Sequence, residues 1–175
     1  MSRTIRIIPY VHVDGIPTFR DSDIENIYLM VVEEDKLETV FYDGMIRDMR
    51  EFVNFFKSPD NHLHIILVND EIAAIFWINQ IEGRVCRIHF CGFSKFWKHT
   101  IRMGKEALKF LSPHFDLIHG ATPVSNEKAC KFIQKAGMKP LGVMPDRVYN
   151  YYKDRTEDAL ITYYQTEKEK QYGWW

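Results

Sequence analysis

From His62 to Phe93 the chain reads HLHIILVNDEIAAIFWINQIEGRVCRIHFCGF: three stretches rich in β-branched and aromatic residues, broken only at Asn69-Asp70 and Glu82-Gly83. Runs of this character separated by short turn signals have one simple solution, a meander of antiparallel strands. A sheet therefore occupies the centre of the chain, and every other segment has to be placed against it.

Upstream the period is helical. DSDIENIYLMVVEEDKL puts Ile24, Ile27, Tyr28 and Val31 on one face, with Ser22 and Glu25 at capping-box spacing. DGMIRDMREFVNFFKSPDN repeats the pattern through Met45, Met49, Phe52, Val53 and Phe56 and stops at Ser58-Pro59.

Downstream, SKFWKHTIRMGKEALKF ends as an amphipathic helix through Ile101, Gly104, Ala107, Leu108 and Leu111, terminated by Ser112-Pro113. FDLIHGATPV reads as a short buried strand, and NEKACKFIQKAG as a helix capped by Asn126 and closed by Gly137. Alternation around a charged turn over residues 139–165 predicts a terminal hairpin. Together these predict an α+β (mixed α/β) fold in a single domain over residues 1–166. A polar tail over 167–175 ends in Trp174-Trp175.

Composition narrows the function. The 175 residues carry 23 Lys and Arg against 24 Asp and Glu, so no global field gathers nucleic acid or an anionic membrane. No apolar run approaches the roughly 20 residues that span a bilayer. A soluble, cytoplasmic protein with neither nucleic-acid nor membrane partner is the expectation. Cys86, Cys91 and Cys130 have neither disulfide-framework nor zinc spacing and read as reduced thiols. His62 and His64 alternate on a strand without a third ligand, so no metal is expected.

Three stretches resemble the GNAT superfamily of acyl-CoA N-acyltransferases. NEKACKFIQKAGMKPLG is similar to its C-terminal signature through Asn126, Ala129, Lys135 and Gly137, with Met138 where an aromatic is usual. RVCRIHFCGF resembles its fourth strand. KFWKHTIRMGKEALKF resembles the stretch whose glycine-containing loop and helix start bind the CoA pyrophosphate.

The resemblance implies a mostly antiparallel sheet, flanked by helices and splayed between the fourth and fifth strands, here strand 84–93 and strand 115–121. It also implies acetyl-CoA as cosubstrate, a primary amine as acceptor and, as one option, a homodimer. Phe90, Cys91 and Phe93 would offer backbone to the pantetheine arm, and Asn126 would flank it from the other side. Lys98, His99, Thr100, Ile101, Arg102, Met103, Gly104 and Lys105 would hold the pyrophosphate.

The chain departs from the pattern in three places. Arg102 stands at the first loop glycine, so side-chain charge would have to compensate for lost amide approach. Ile133 occupies the place of a proton-donating Tyr, leaving water, another Tyr such as Tyr149, Tyr151 or Tyr152, or no acid at all, since a thiolate is already a fair leaving group. Arg87 occupies the place of the usual carboxylate base and is too basic for that task. His89, on the same face and one pleat nearer the cofactor, becomes the candidate catalytic residue. The acidic run VEEDKLE falls where a substrate loop would lie and would favour a cationic amine. Two functions stay open: an amine N-acetyltransferase, and a GNAT-like domain without catalysis that serves as an interaction module.

Overall fold

The computed structural model of the chain describes residues 4–166, so the tail with Trp174-Trp175 lies outside the described residues. The elements begin with strand β1 (Ile5–Pro9), the short strands β2 (His12–Val13) and β3 (Ile16–Pro17), and helices α1 (Asp21–Glu33), α2 (Leu37–Val40) and α3 (Met49–Lys57). Strands β4 (His62–Val68), β5 (Glu71–Glu82) and β6 (Val85–Gly92) follow, then a 3-10 helix (Ser94–His99) running into α4 (Thr100–Leu111). The chain continues through β7 (Leu117–Pro123), α5 (Glu127–Ala136), β8 (Lys139–Asn150), a 3-10 turn (Tyr151–Lys153) and β9 (Arg155–Gln165).

One sheet carries the order β1-β4-β5-β6-β7-β9-β8, and β2 and β3 form a separate small ribbon. Within the large sheet only β6 and β7 run parallel. The β4–β5 turn closes because Asn69 and Asp70 both adopt positive φ, 52° and 66°, as a tight right-twisted hairpin requires. The result is a mixed α/β fold with a mainly antiparallel central sheet, as the sequence predicts.

Strand alternation feeds two cores. Ile75, Trp77, Cys91 and Phe93 pack against Ile24, Ile27, Val31, Phe52 and Phe56 of α1 and α3. Phe76, Ile78 and Ile88 point the other way, onto Met103, Ala107, Leu108 and Leu111 of α4. Helices therefore cover both faces, and the apolar strand runs are explained by burial on two sides.

Local details differ from the sequence reading. At α1 the Arg20 amide donates to Asp23 Oδ2 at 2.8 Å, so Asp23 does the capping work assigned to Ser22 and Glu25. The second long helix starts only at Met49, where Asp48 Oδ1 accepts the Glu51 amide at 2.8 Å; Met45 is exposed in the preceding loop. Strand β1, unanticipated, pairs with β4 from Ile5↔Val68 to Pro9↔His64.

The loop between α2 and α3 is tied to the β8–β9 tip. The Tyr151 amide donates to the Tyr42 carbonyl at 2.8 Å. Gly44 has φ +73°, and a Cβ there would lie 2.3 Å from Tyr151 Cγ. Only glycine lets the tip seat on this loop.

Candidate active site

The sheet opens between β6 and β7. Their register covers Val85↔Leu117, Cys86↔Ile118 and Arg87↔His119, after which Ile88–Gly92 and Gly120–Pro123 diverge into a wedge. The Phe93 amide donates to the Ala73 carbonyl of the β5 side at 2.9 Å, and the Arg84 carbonyl accepts the Asp116 amide on the β7 side at 2.8 Å. Backbone groups alternate in direction along a strand, so Arg87, His89, Cys91 and Phe93 turn theirs toward β5, while Ile88, Phe90 and Gly92 turn theirs into the wedge.

This register corrects the expected pantetheine contacts. Phe90 turns its backbone to the wedge, but the Phe93 amide is taken by Ala73, and Cys91 shares its orientation. Their side chains are likewise buried in the α1/α3 core. Ile88 and Gly92 are the remaining wedge-facing positions, and the Gly92 carbonyl accepts from Lys36 Nζ.

On the α1/α3 face, β5 and β6 build a four-residue patch: Trp77 lies opposite His89, and Asn79 opposite Arg87. Trp77 is stacked between Phe41, at 5.1 Å between ring centroids, and His89, at 4.7 Å. His89 Nε2 meets Asn79 Oδ1 at 3.2 Å. Burial, then the Arg87 and His119 charges, push the His89 imidazole down to about 3. It is neutral at physiological pH, with a conjugate acid far too strong to persist there. Arg87 is hydrogen-bonded to Tyr42, whose phenol burial raises above its ordinary value.

Asn79 also forms part of a groove of about 840 Å³ lined by Glu51, Asn54, Asp60, His62 and Ile81 among others. A molecule in that groove would reach Asn79 on the side of the sheet where His89 and Arg87 lie. Cys91 offers no nucleophile there, because burial pushes its thiol up to about 12.

The stretch expected to hold pyrophosphate is helical. Residues Ser94–His99 form the 3-10 helix, kinked at Phe96, and the Thr100 amide is taken by the Trp97 carbonyl. Because α4 begins at Thr100, Met103 and Gly104 fall on its buried face. A Cβ on Gly104 would lie 2.9 Å from Ala136 Cβ and 2.9 Å from Phe132 Cζ. This glycine thus serves the approach of α4 to α5, correcting its assignment to a phosphate loop. Lys98, Arg102 and Lys105 are exposed on one helical stripe, Lys98 beside the Trp97 ring at 5.6 Å. No carboxylate pairs with these three cations among the described ion pairs. Ile101 is exposed and His99 and Thr100 half-buried at the same turn.

No protein-family model matches the sequence, and no curated protein matches it. Solved structures do match. Spermidine N-acetyltransferase from Vibrio cholerae, in complex with CoA and spermine, superposes with TM-score 0.71 at 11% identity, over 94% of this chain and 95% of that one. The Salmonella typhimurium acetyltransferase that modifies the N-terminal serine of ribosomal protein L7/L12 gives 0.72 at 11%, over 95% and 97%. The chain has the GNAT fold. The microcin C7 self-immunity acetyltransferase, in complex with acetyl-CoA and AMP, is a third similar structure, with TM-score 0.65, 13% identity and coverage of 83% and 88%.

Within this GNAT fold the remaining expected residues can be placed. Asn126 Oδ1 accepts the Ala129 amide at 3.1 Å and so caps α5. Ile133 belongs to the α4-side core. Tyr149 donates to Asp154 Oδ1 at 2.5 Å, Tyr151 is exposed, and the buried Tyr152 hydroxyl has no partner. In the acidic run, Glu34 accepts the Ser94 amide at 3.0 Å and pairs with Lys36 at 2.8 Å, which ties α1 to the end of β6. Among the described residues no cluster of His, Cys, Asp and Glu could hold a metal, and no helix is long and apolar enough to cross a membrane.

Trp77, Asn79, Tyr42 and Phe132 were missed in the sequence. Their signal was positional: Trp77 and Asn79 sit two apart on a strand, like Arg87 and His89, but only the register brings the pairs together.

Proposed function

We propose that the chain is an acetyl-CoA-dependent N-acetyltransferase acting on a primary amine. The observation that carries this reading is the wedge between β6 and β7, which leaves the backbone of Ile88 and Phe90 unpaired by strand β7 beside a polar patch. In this reading those groups hold the pantetheine arm, and Asn126 and α5 flank it. Lys98, Arg102 and Lys105, with the turn at His99, Thr100 and Ile101, hold the pyrophosphate by charge rather than by close amide approach.

The acceptor reaches the patch through the groove beside Asn79 and attacks as the neutral amine. A C–N bond forms and the C–S bond breaks, the thiolate leaving as CoA. His89, neutral and oriented by Asn79 and Trp77, accepts a hydrogen bond from the attacking amine, whose proton goes to water once the C–N bond has formed. It orients the amine rather than taking the proton, as its depressed basicity requires.

A second reading, a non-catalytic interaction module, is favoured by one contact: the Phe90 and Phe132 rings meet at 4.8 Å, linking β6 to α5 across the divergence. A thermal-shift titration with acetyl-CoA separates the two. Saturation at about 100 times the dissociation constant should add about 2.7 kcal/mol of stability, and thiol release with an amine panel should follow. Absence of any shift at millimolar acetyl-CoA would favour the module and end the enzyme reading.

A further inference from the structure

The patch at the apex of the wedge contains an imbalance that the proposed reaction does not use. Arg87 is the last β6 residue paired with β7, and its Nε is buried without a hydrogen-bond partner. The indole nitrogen of Trp77, diagonal to it on the same face, is buried without a partner as well. Both atoms are obligate donors. Buried donors in folded proteins are nearly always satisfied, so two orphans on one patch indicate an acceptor that the protein itself does not supply.

The charge around the patch is mixed. Tyr42, His89, His119 and Arg147 share the field of Arg87, with the Asp43 carboxylate acting on Tyr42 and the Glu82 carboxylate on His119. Burial, then Arg87 and Arg147, lower the His119 basicity, while Glu82 acts on it in the opposite direction. No carboxylate forms an ion pair with Arg87 among the described residues. The acidic run once expected to attract a cationic acceptor is meanwhile partly spent, since Glu34 is held by Ser94 and Lys36.

We propose that Arg87 and Trp77 form a subsite for a carboxylate, and that the acceptor is an amine whose molecule also bears one. The subsite follows from the two orphan donors on a guanidinium and an indole that no carboxylate pairs with; its role in acceptor selection rests on the acetyltransferase reading. A carboxylate fits because its two coplanar oxygens match the edge of a guanidinium and leave a lone pair for the indole N–H. Arginine at this position thus exchanges a base for a binding group. A polycationic amine would meet repulsion at the same place.

The test uses matched amines of equal length, 5-aminopentanoate and 1,5-diaminopentane, on the full chain. Calorimetric titration in the absence of acetyl-CoA should show 5-aminopentanoate binding at least tenfold more tightly than the diamine, with a change in tryptophan emission. Arg87→Met should bring the ratio of the two affinities to near one, and Trp77→Phe, which keeps an aromatic ring but removes the N–H, should lower it several-fold. With acetyl-CoA present, the same ratio should appear in kcat/KM. Equal binding of both amines, preference for the diamine, binding of neither, or a preference that survives both substitutions would overturn the subsite. Carboxylate binding without any acetyl transfer would uphold the subsite and remove the enzyme reading, so the two fail separately.

Discussion

His89 lies flat on Trp77, with ring planes 3° apart. Burial depresses His89, and the stacking holds it as a rigid, neutral acceptor instead of a titrating base.

The first consequence concerns the pH profile. With the His89 pKa near 3, log kcat/KM should rise with pH at a slope near one until the amine itself is deprotonated, with no inflection around 6.5. His89→Ala should lower kcat about 100-fold without changing the shape of the profile. Unchanged turnover in that variant would take His89 out of the mechanism.

Acid stability should report another buried imidazole. His64 is stacked on Phe76 at 4.4 Å, its Nδ1 is 2.9 Å from the His62 carbonyl, and burial lowers its pKa to about 4. Between that value and about 6.5 the unfolded chain binds a proton that the folded chain refuses, so stability falls as pH drops through this window. The loss from His64 should reach about 2 kcal/mol by pH 5. In urea titrations at pH 7.5 and 5, His64→Gln should show a smaller difference between the two pH values than the parent.

Anion binding on α4 can be tested by charge removal. Arg102→Ala should weaken CoA about tenfold or more, the magnitude of a lost charge-assisted hydrogen bond. It should leave acetyl-pantetheine, which lacks the pyrophosphate, nearly unaffected. Equal losses for both ligands would refute phosphate binding by this stripe.

Packing of α4 against α5 should be intolerant of a methyl group. Gly104→Ala sets a Cβ 2.9 Å from Ala136 Cβ and should cost about 1–3 kcal/mol in denaturant unfolding. Adding Ala136→Gly should recover part of that loss. An additive pair would mean that the helices shift apart without cost.

The meander was legible because its turn residues and apolar runs are local signals, and Asn69 and Asp70 do adopt the backbone those signals demand. So was the alternation that groups Arg87, His89 and Cys91. Strand β1 was hidden because Ile5–Pro9 is short and its pairing with β4 spans the whole helical segment. Gly104 misled because a glycine at a helix start and a glycine at a helix crossing look alike until the partner helix is placed. Direction of backbone groups on β6 required the ladder, which no single-strand pattern contains. The orphan donors of Arg87 and Trp77 were invisible for a related reason: satisfaction is a property of neighbours, not of residues.

The three rungs that join β6 to β7 are the ladder between two rafts of the sheet, β1-β4-β5-β6 and β7-β9-β8. Beyond them the rafts are tied by the helices, by the Arg84–Asp116 pair and by the backbone bond from Tyr151 to Tyr42. A molecule bonded along Ile88 and Phe90 would act as replacement rungs, stiffening the joint as it binds. Cargo and brace would then be the same object, and the amides of the wedge should exchange with solvent at a rate set by whether it is filled.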